Sequence, residues 1–140
     1  MNLDGLRTAL FTKLNVSGLT SQLSTAYSPL AAIFNEIAPQ VDDSGSVAAF
    51  PYVTFNITSD VGYNDKGATG TNAIVQVDVY SRLHTTQAED IGKIVHGLLH
   101  RQALAFTGHI TTECEGVETI TDADGETRRC MLRFRVVAAT

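Results

Sequence analysis

The sequence predicts an α+β fold: an antiparallel sheet of about four strands with helices packed on one face. Three observations predict it. An apolar stripe at helical spacing opens the chain, two stretches of strict alternation lie in its middle, and a second helical stripe precedes a last pair of alternating stretches. Helix, two strands, helix, two strands is an order in which each strand pair closes locally while the helices share one face. The 140 residues make one domain, 1–140, long enough to bury roughly two thirds of the unfolded surface around a single core.

Leu3, Leu6, Ala9, Leu10, Phe11 and Leu14 recur mostly at three and four, which predicts a helix over 3–14. Asn15 to Gly18 punctuates it. The Ser/Thr-rich Leu19–Tyr27 stretch reads as a short helix or a loop, and Leu30 to Ile37 as a strand or a helix turn. Tyr52 to Ile57 then alternates, with Val53, Phe55 and Ile57 on one face and Tyr52, Thr54 and Asn56 on the other. Ala73 to Tyr80 repeats the period with Val75, Val77 and Val79 inward, so the two strands are expected to pair. Between them, Asp60 to Thr71 carries three glycines and almost no apolar anchor, which predicts a long loop, functional or disordered, rather than a tight turn.

Thr86-Gln87-Ala88-Glu89 has capping-box spacing, and Ile91, Ile94, Val95, Leu98 and Leu99 follow at helical spacing, which predicts a helix over 86–101. Gly92 and Gly97 each cost it about 1 kcal/mol relative to alanine, so contact with the sheet must supply the stability. His109–Ile120 and Thr127–Val137 flank Asp122-Ala123-Asp124-Gly125-Glu126 and read as an antiparallel hairpin. Folding it about Asp124 sets Glu113 opposite Arg135 and Glu115 opposite Arg133. In that register Cys130 faces Glu118, ~13 Å along the strand from Cys114, beyond disulfide reach, so two free thiols are expected.

Composition and motifs exclude most chemistry. Hydrophobic residues at 44% and charged residues at 18% give enough apolar surface to fold. No apolar run approaches the ~18 residues of a bilayer span, and the mixed N-terminus lacks the order of an export signal, so no membrane and a cytoplasmic site of synthesis are expected. A net charge of −5 disfavours affinity built on neutralising phosphates. His96 and His100 stand four apart, but Gly97 follows His96 where a zinc hydrolase needs its glutamate, so solvated helix-face histidines are the better reading. Asp122-x-Asp124-Gly125 lacks the distal glutamate of a calcium loop and reads as a turn. The glycines of 62–70 lack the Gly-Lys-Ser/Thr continuation of a phosphate loop, and no Gly-x-Ser-x-Gly elbow is present. No catalytic residue, metal ligand or cofactor site is predicted.

What remains is surface. Four arginines (Arg128, Arg129, Arg133 and Arg135) crowd the last strand, either to meet an acidic partner or to be neutralised by Glu113 and Glu115. Tyr52, Ile74, Tyr80 and Met131 fall on outward faces, to be covered by a neighbouring subunit or by helices on a second face.

The ordered pieces also carry a family resemblance. They are Leu6-Arg7-x-Ala9-Leu10, Ile33-Phe34-Asn35-Glu36-Ile37-Ala38-Pro39, Phe50-Pro51-Tyr52-Val53-Thr54-Phe55, Val77-Asp78-Val79-Tyr80-Ser81-Arg82, Ala88-Glu89-Asp90-Ile91, and Asp124-Gly125 before Arg133-Phe134-Arg135-Val136. The chain resembles, over nearly its whole length, the tail-completion (tail-terminator, head-to-tail joining) proteins of long-tailed bacteriophages. The resemblance implies a non-enzymatic virion protein that forms a ring, commonly a hexamer, at the head-to-tail junction. Its implied partners are copies of itself, the tail tube protein and a head connector or stopper protein, with DNA passing the lumen without specific binding. The interface candidates are Tyr52, Gly62, Tyr63, Asn64, Asp65, Lys66, Gly67, Gly70, Ile74, Tyr80, Arg133 and Arg135, with 62–70 expected at the axis or the tube. From a different class, the competing reading is a small α+β module binding a ligand or peptide on its open sheet face.

Overall fold

The computed structural model describes residues 3–27, 29–36, 49–65 and 68–139. The elements run α1 (Leu3–Leu14), α2 (Ser17–Thr20), β1 (Ile33–Asn35), β2 (Tyr52–Asp65), β3 (Ala68–Ser81), α3 (Thr85–Leu99), β4 (His109–Thr121) and β5 (Arg128–Ala139). The strands form one five-stranded sheet in the order β1-β2-β3-β5-β4. All pairs are antiparallel except β1 with β2, which is parallel.

α1 has the bounds its stripe predicts, and Leu6, Leu10 and Leu14 are fully buried. Val53, Phe55, Val75, Val77 and Val79 of β2 and β3 join Leu132, Phe134 and Val136 of β5 in a single core, which Ile91, Val95 and Leu99 of α3 complete. α3 lies closest to β5: a Cβ built on Gly92 would stand 2.7 Å from the Cys130 sulfur. The expected layering, helices on one face of a mostly antiparallel sheet, is the observed one.

Four sequence expectations change. The Leu30–Ile37 stretch holds β1, a fifth strand of three residues, made possible because Val53, Thr54 and Phe55 of β2 offer a free edge to Ile33, Phe34 and Asn35. Within the predicted loop over 60–71 the described residues are instead strand: Asp60 to Asp65 pair with Ala73 to Ala68. The ladder continues because β5 supports β3 as far as Gly70, opposite Ala139, so backbone pairing holds a segment whose side chains give no alternating signal. The cap of α3 is His84, whose Nδ1 accepts the N–H of Gln87 at 2.9 Å, in place of a Thr86 capping box. In the last hairpin Glu113 does face Arg135, but a bulge between Cys114 and Gly116 leaves Glu115 outside the pairing. Arg133 therefore faces Gly116, and Cys130 faces Thr119 rather than Glu118. Both cysteines are free thiols.

Candidate functional site

Alternation along β2, β3 and β5 sends every second side chain to the face opposite the helices, and the register aligns these residues in rows. One row holds Tyr52, Tyr80, Arg129 and Ile120; the next Thr54, Asp78, Met131 and Glu118; the next Asn56, Gln76, Arg133 and Gly116; and the next brings Ile74 to Arg135 and Glu113. Five of the predicted interface residues, Tyr52, Ile74, Tyr80, Arg133 and Arg135, thus share one sheet face. Tyr52, Ile74 and Tyr80 are half-buried, and Arg133 and Arg135 exposed. The three helices pack into the core on the other side.

At one end of this face aromatic rings and arginines interlock. Tyr52 stacks on Tyr80 with centroids 4.8 Å apart, and Phe50 and Phe34 pack edgewise or tilted against Tyr52 at 5.1 and 6.2 Å. The Arg82 guanidinium lies 4.5 Å from the Phe50 ring centre, and that of Arg129 lies 5.9 Å from the Tyr80 ring centre. Burial, reinforced by the neighbouring Tyr80, pushes the Tyr52 hydroxyl up to about 12, so it stays a neutral donor.

Charges on this face are mostly matched within the chain. Arg135 Nε meets Glu115 at 2.7 Å, Arg129 Nε lies 3.8 Å from Asp122, and Arg82 lies 3.6 Å from Asp124. Glu113, opposite Arg135 in the ladder, meets Arg101 at 3.9 Å. Asp78 is buried, with its carboxylate accepting two bonds from Gln76 Nε2 at 3.1 and 3.3 Å. Desolvation raises its pKa despite that amide. Asp124 has the opposite setting: the N–H and hydroxyl of Thr127 and the N–H of Glu126 donate to it, holding it at about 2.

Gly62, Tyr63, Asn64, Asp65 and Gly70 lie at the far end of the β2–β3 ladder, roughly 33–43 Å along the strand from Tyr52 at about 3.3 Å per residue. Lys66 and Gly67 lie outside the described residues. The predicted candidates therefore separate into a sheet face and a hairpin end. Phe50, Arg82, Asp78 and Arg129 were absent from the predicted set. Arg129 had a readable signal, because alternation from Arg133 and Arg135 puts it on their face; Arg82 had none, since its place over Phe50 depends on where β2 begins.

Among the described residues no group of three or more His, Cys, Asp and Glu could hold a metal ion. His96 and His100 stack with centroids 4.7 Å apart, and His100 Nδ1 accepts the N–H of Cys114 at 3.0 Å, so these rings tie α3 to β4 rather than standing free in solvent. No helix among the described residues is long and apolar enough to cross a membrane.

The family described as Tail completion protein gp17 matches residues 19–139. The chain belongs to that family. It is a structural tail component of a phage-like virion, not an enzyme. The tail completion protein gp17 of Bacillus phage SPP1 is 25% identical to this tail completion protein over 112 residues, covering 79% of this chain and 81% of that one. Among solved structures, a chain from the virion of a native gene transfer agent particle superposes with a TM-score of 0.79 at 16% identity, covering 96% of this chain and 95% of its own. A second solved chain has a TM-score of 0.55 at 16% identity, with 97% and 96% covered. At these identities the likeness is one of fold, and it extends over the whole α+β domain.

Proposed function

We propose that this tail completion protein forms a ring, of six copies, at the head-to-tail junction, where it terminates the tail tube and joins it to the head connector or stopper while DNA passes through the lumen. The observation that carries the reading is the sheet face opposite the helices, where Tyr52, Ile74, Tyr80, Arg133 and Arg135 gather in register. Half-buried aromatic rings with flanking arginines are the composition of contact surfaces between proteins. A subunit with unlike faces makes heterologous contacts, which close into a ring when the rotation permits.

Charge supports the lumen. The net charge is −5, and Arg82, Arg129 and Arg135 are each matched by a carboxylate of the same chain. Such a surface gives phosphates little to hold, so DNA slides. The end of the β2–β3 ladder, 62–70, is assigned to the axis or the tube.

Particles lacking the chain test the reading: DNA-filled heads and separate tails should accumulate, and joined particles from such a mutant would refute it. Deleting 64–69 tests the hairpin-end assignment, which fails if ring formation and joining are unchanged.

A further inference from the structure

We propose that the two residues following α3 are an edge guard: His100 and Arg101 occupy the outer hydrogen-bonding positions of β4 and so keep copies of this chain from adding to one another strand to strand. The inference goes beyond the ring reading and does not rest on it, since it concerns the edge of the sheet rather than its face.

β4 ends the sheet, with β5 on one side and no strand on the other among the described residues. Such an edge turns the N–H and C=O of every second residue outward, a template for a further strand. In the middle of β4 those groups are already taken. The Thr112 carbonyl accepts the Arg101 N–H at 2.7 Å, and the Cys114 N–H donates to His100 Nδ1 at 3.0 Å. These two groups flank Glu113, and an added strand would place its own N–H on the first and its own C=O on the second. His100 and Arg101 thus stand in for one residue of an added strand.

The guard is itself held in place. The His100 N–H closes α3 on the His96 carbonyl at 2.8 Å, and the His96 ring stacks on the His100 ring with centroids 4.7 Å apart, which orients Nδ1. Arg101 has a φ of 57°, a left-handed turn uncommon outside glycine, which takes the chain out of the helix and onto β4. Its Nε lies 3.9 Å from the carboxylate of Glu113, between the two blocked groups. Just beyond, the bulge between Cys114 and Gly116 interrupts the edge again. An open β4 would be adhesive: Ile110 and Val117, on either side of the guard, are 57% and 54% exposed. The outer side of β2 is paired with β1 only at Val53–Phe55, so among the described residues it offers a second open edge. Joining β4 of one copy to β2 of another is a contact between unlike edges, which each further copy extends.

The test follows the Cys114 amide by hydrogen exchange at ~pH 8, where histidine is neutral, with light scattering of the chain alone. In the wild type this amide should be protected although β4 is an edge strand; exchange as fast as in an unstructured chain overturns the inference without any variant. His100→Ala and His100→Leu, the second keeping bulk against His96, both remove the acceptor. Either should speed exchange in dilute protein by roughly fivefold or more, the weight of one hydrogen bond. Either should also form oligomers whose mass grows with concentration, in which the incoming strand protects the Cys114 amide again. His100→Asn, which keeps an acceptor near the place of Nδ1, should behave as the wild type, and unchanged exchange at Leu132 of β5 shows that a variant is folded. A folded His100→Ala or His100→Leu chain with a slow Cys114 amide in dilute protein, with the wild-type mass, or with oligomers that leave that amide unprotected, overturns the guard and leaves the ring reading standing. A wild-type chain that forms no closed ring, alone or at the ends of tails, refutes the ring reading and leaves the guard standing.

Discussion

Substituting alanine at the two glycines of α3 separates local propensity from tertiary contact. Each glycine, taken alone, weakens the helix by about 1 kcal/mol relative to alanine. At Gly97 a Cβ would meet nothing within 4 Å, so Gly97→Ala should stabilise the protein by about that amount. At Gly92 the new Cβ would stand 2.7 Å from the Cys130 sulfur, 3.6 Å from the Cys130 Cβ and 3.7 Å from Leu132 Cδ1. The first distance is far inside van der Waals contact, so the Cys130 sulfur must shift from its place against Gly92. Overpacking of this kind costs about 1–3 kcal/mol, which outweighs the gain in propensity and leaves Gly92→Ala destabilised by about 1 kcal/mol. The two variants should thus differ by about 2 kcal/mol in urea unfolding at one protein concentration. Cys130→Ala in the Gly92→Ala background should recover most of the loss, with a coupling of about 1 kcal/mol in the double-mutant cycle. If Gly92→Ala is as stabilising as Gly97→Ala, or if the cycle is additive, the close approach of α3 to β5 is refuted.

Asp78→Asn should stabilise the protein at pH 7: burial raises the folded pKa above the ordinary 3.8, so ionised Asp78 opposes folding above that value. The advantage should shrink as pH falls towards 4 and the wild-type carboxyl is protonated in the folded chain; an advantage that is constant with pH counts against this. Asp124 behaves oppositely, because its folded pKa of about 2 lies below the ordinary 3.8, so its turn contacts stabilise the fold above about pH 4 and are lost as pH falls towards 2. Thermal melts of Asp124→Ala should therefore fall below wild type at pH 7, with the gap shrinking between pH 4 and pH 2, whereas a gap as large at pH 2 as at pH 7 would contradict the role of the carboxylate. Leu132→Ala, which opens a fully packed position under α3, should cost about 2–5 kcal/mol in the same urea assay, and a loss under 1 kcal/mol would show that the site is not core.

The elements legible in the sequence are those whose period reflects burial on one side. α1, the inward faces of β2, β3 and β5, and α3 follow from leucines at three and four and valines at every second place, because the core they face is one layer deep. β1 was only half legible, since three residues cannot establish a period and its pairing depends on Val53–Phe55, some twenty residues on. The paired strand of Asp60–Asp65 and Ala68–Thr71 was illegible, because a ladder of backbone pairs leaves no period in a sequence of glycines and polar residues. One inserted residue at Cys114–Gly116 shifted the arginine pairing, and nothing local announces such a bulge. The shared sheet face was legible within each strand, since alternation puts Ile74 with Tyr80 and Arg133 with Arg135, and the pairing register then joins them to Tyr52. The stacking of Arg82 on Phe50 needed the assembled sheet.

A reconstruction of the joined particle at the head-to-tail junction, with side chains traced, measures the central claim most directly. The account predicts a closed ring of this chain between tube and connector, with Tyr80, Ile74 and Arg135 covered by protein. A junction built without this chain, or a chain present there with that sheet face open to solvent, would contradict it.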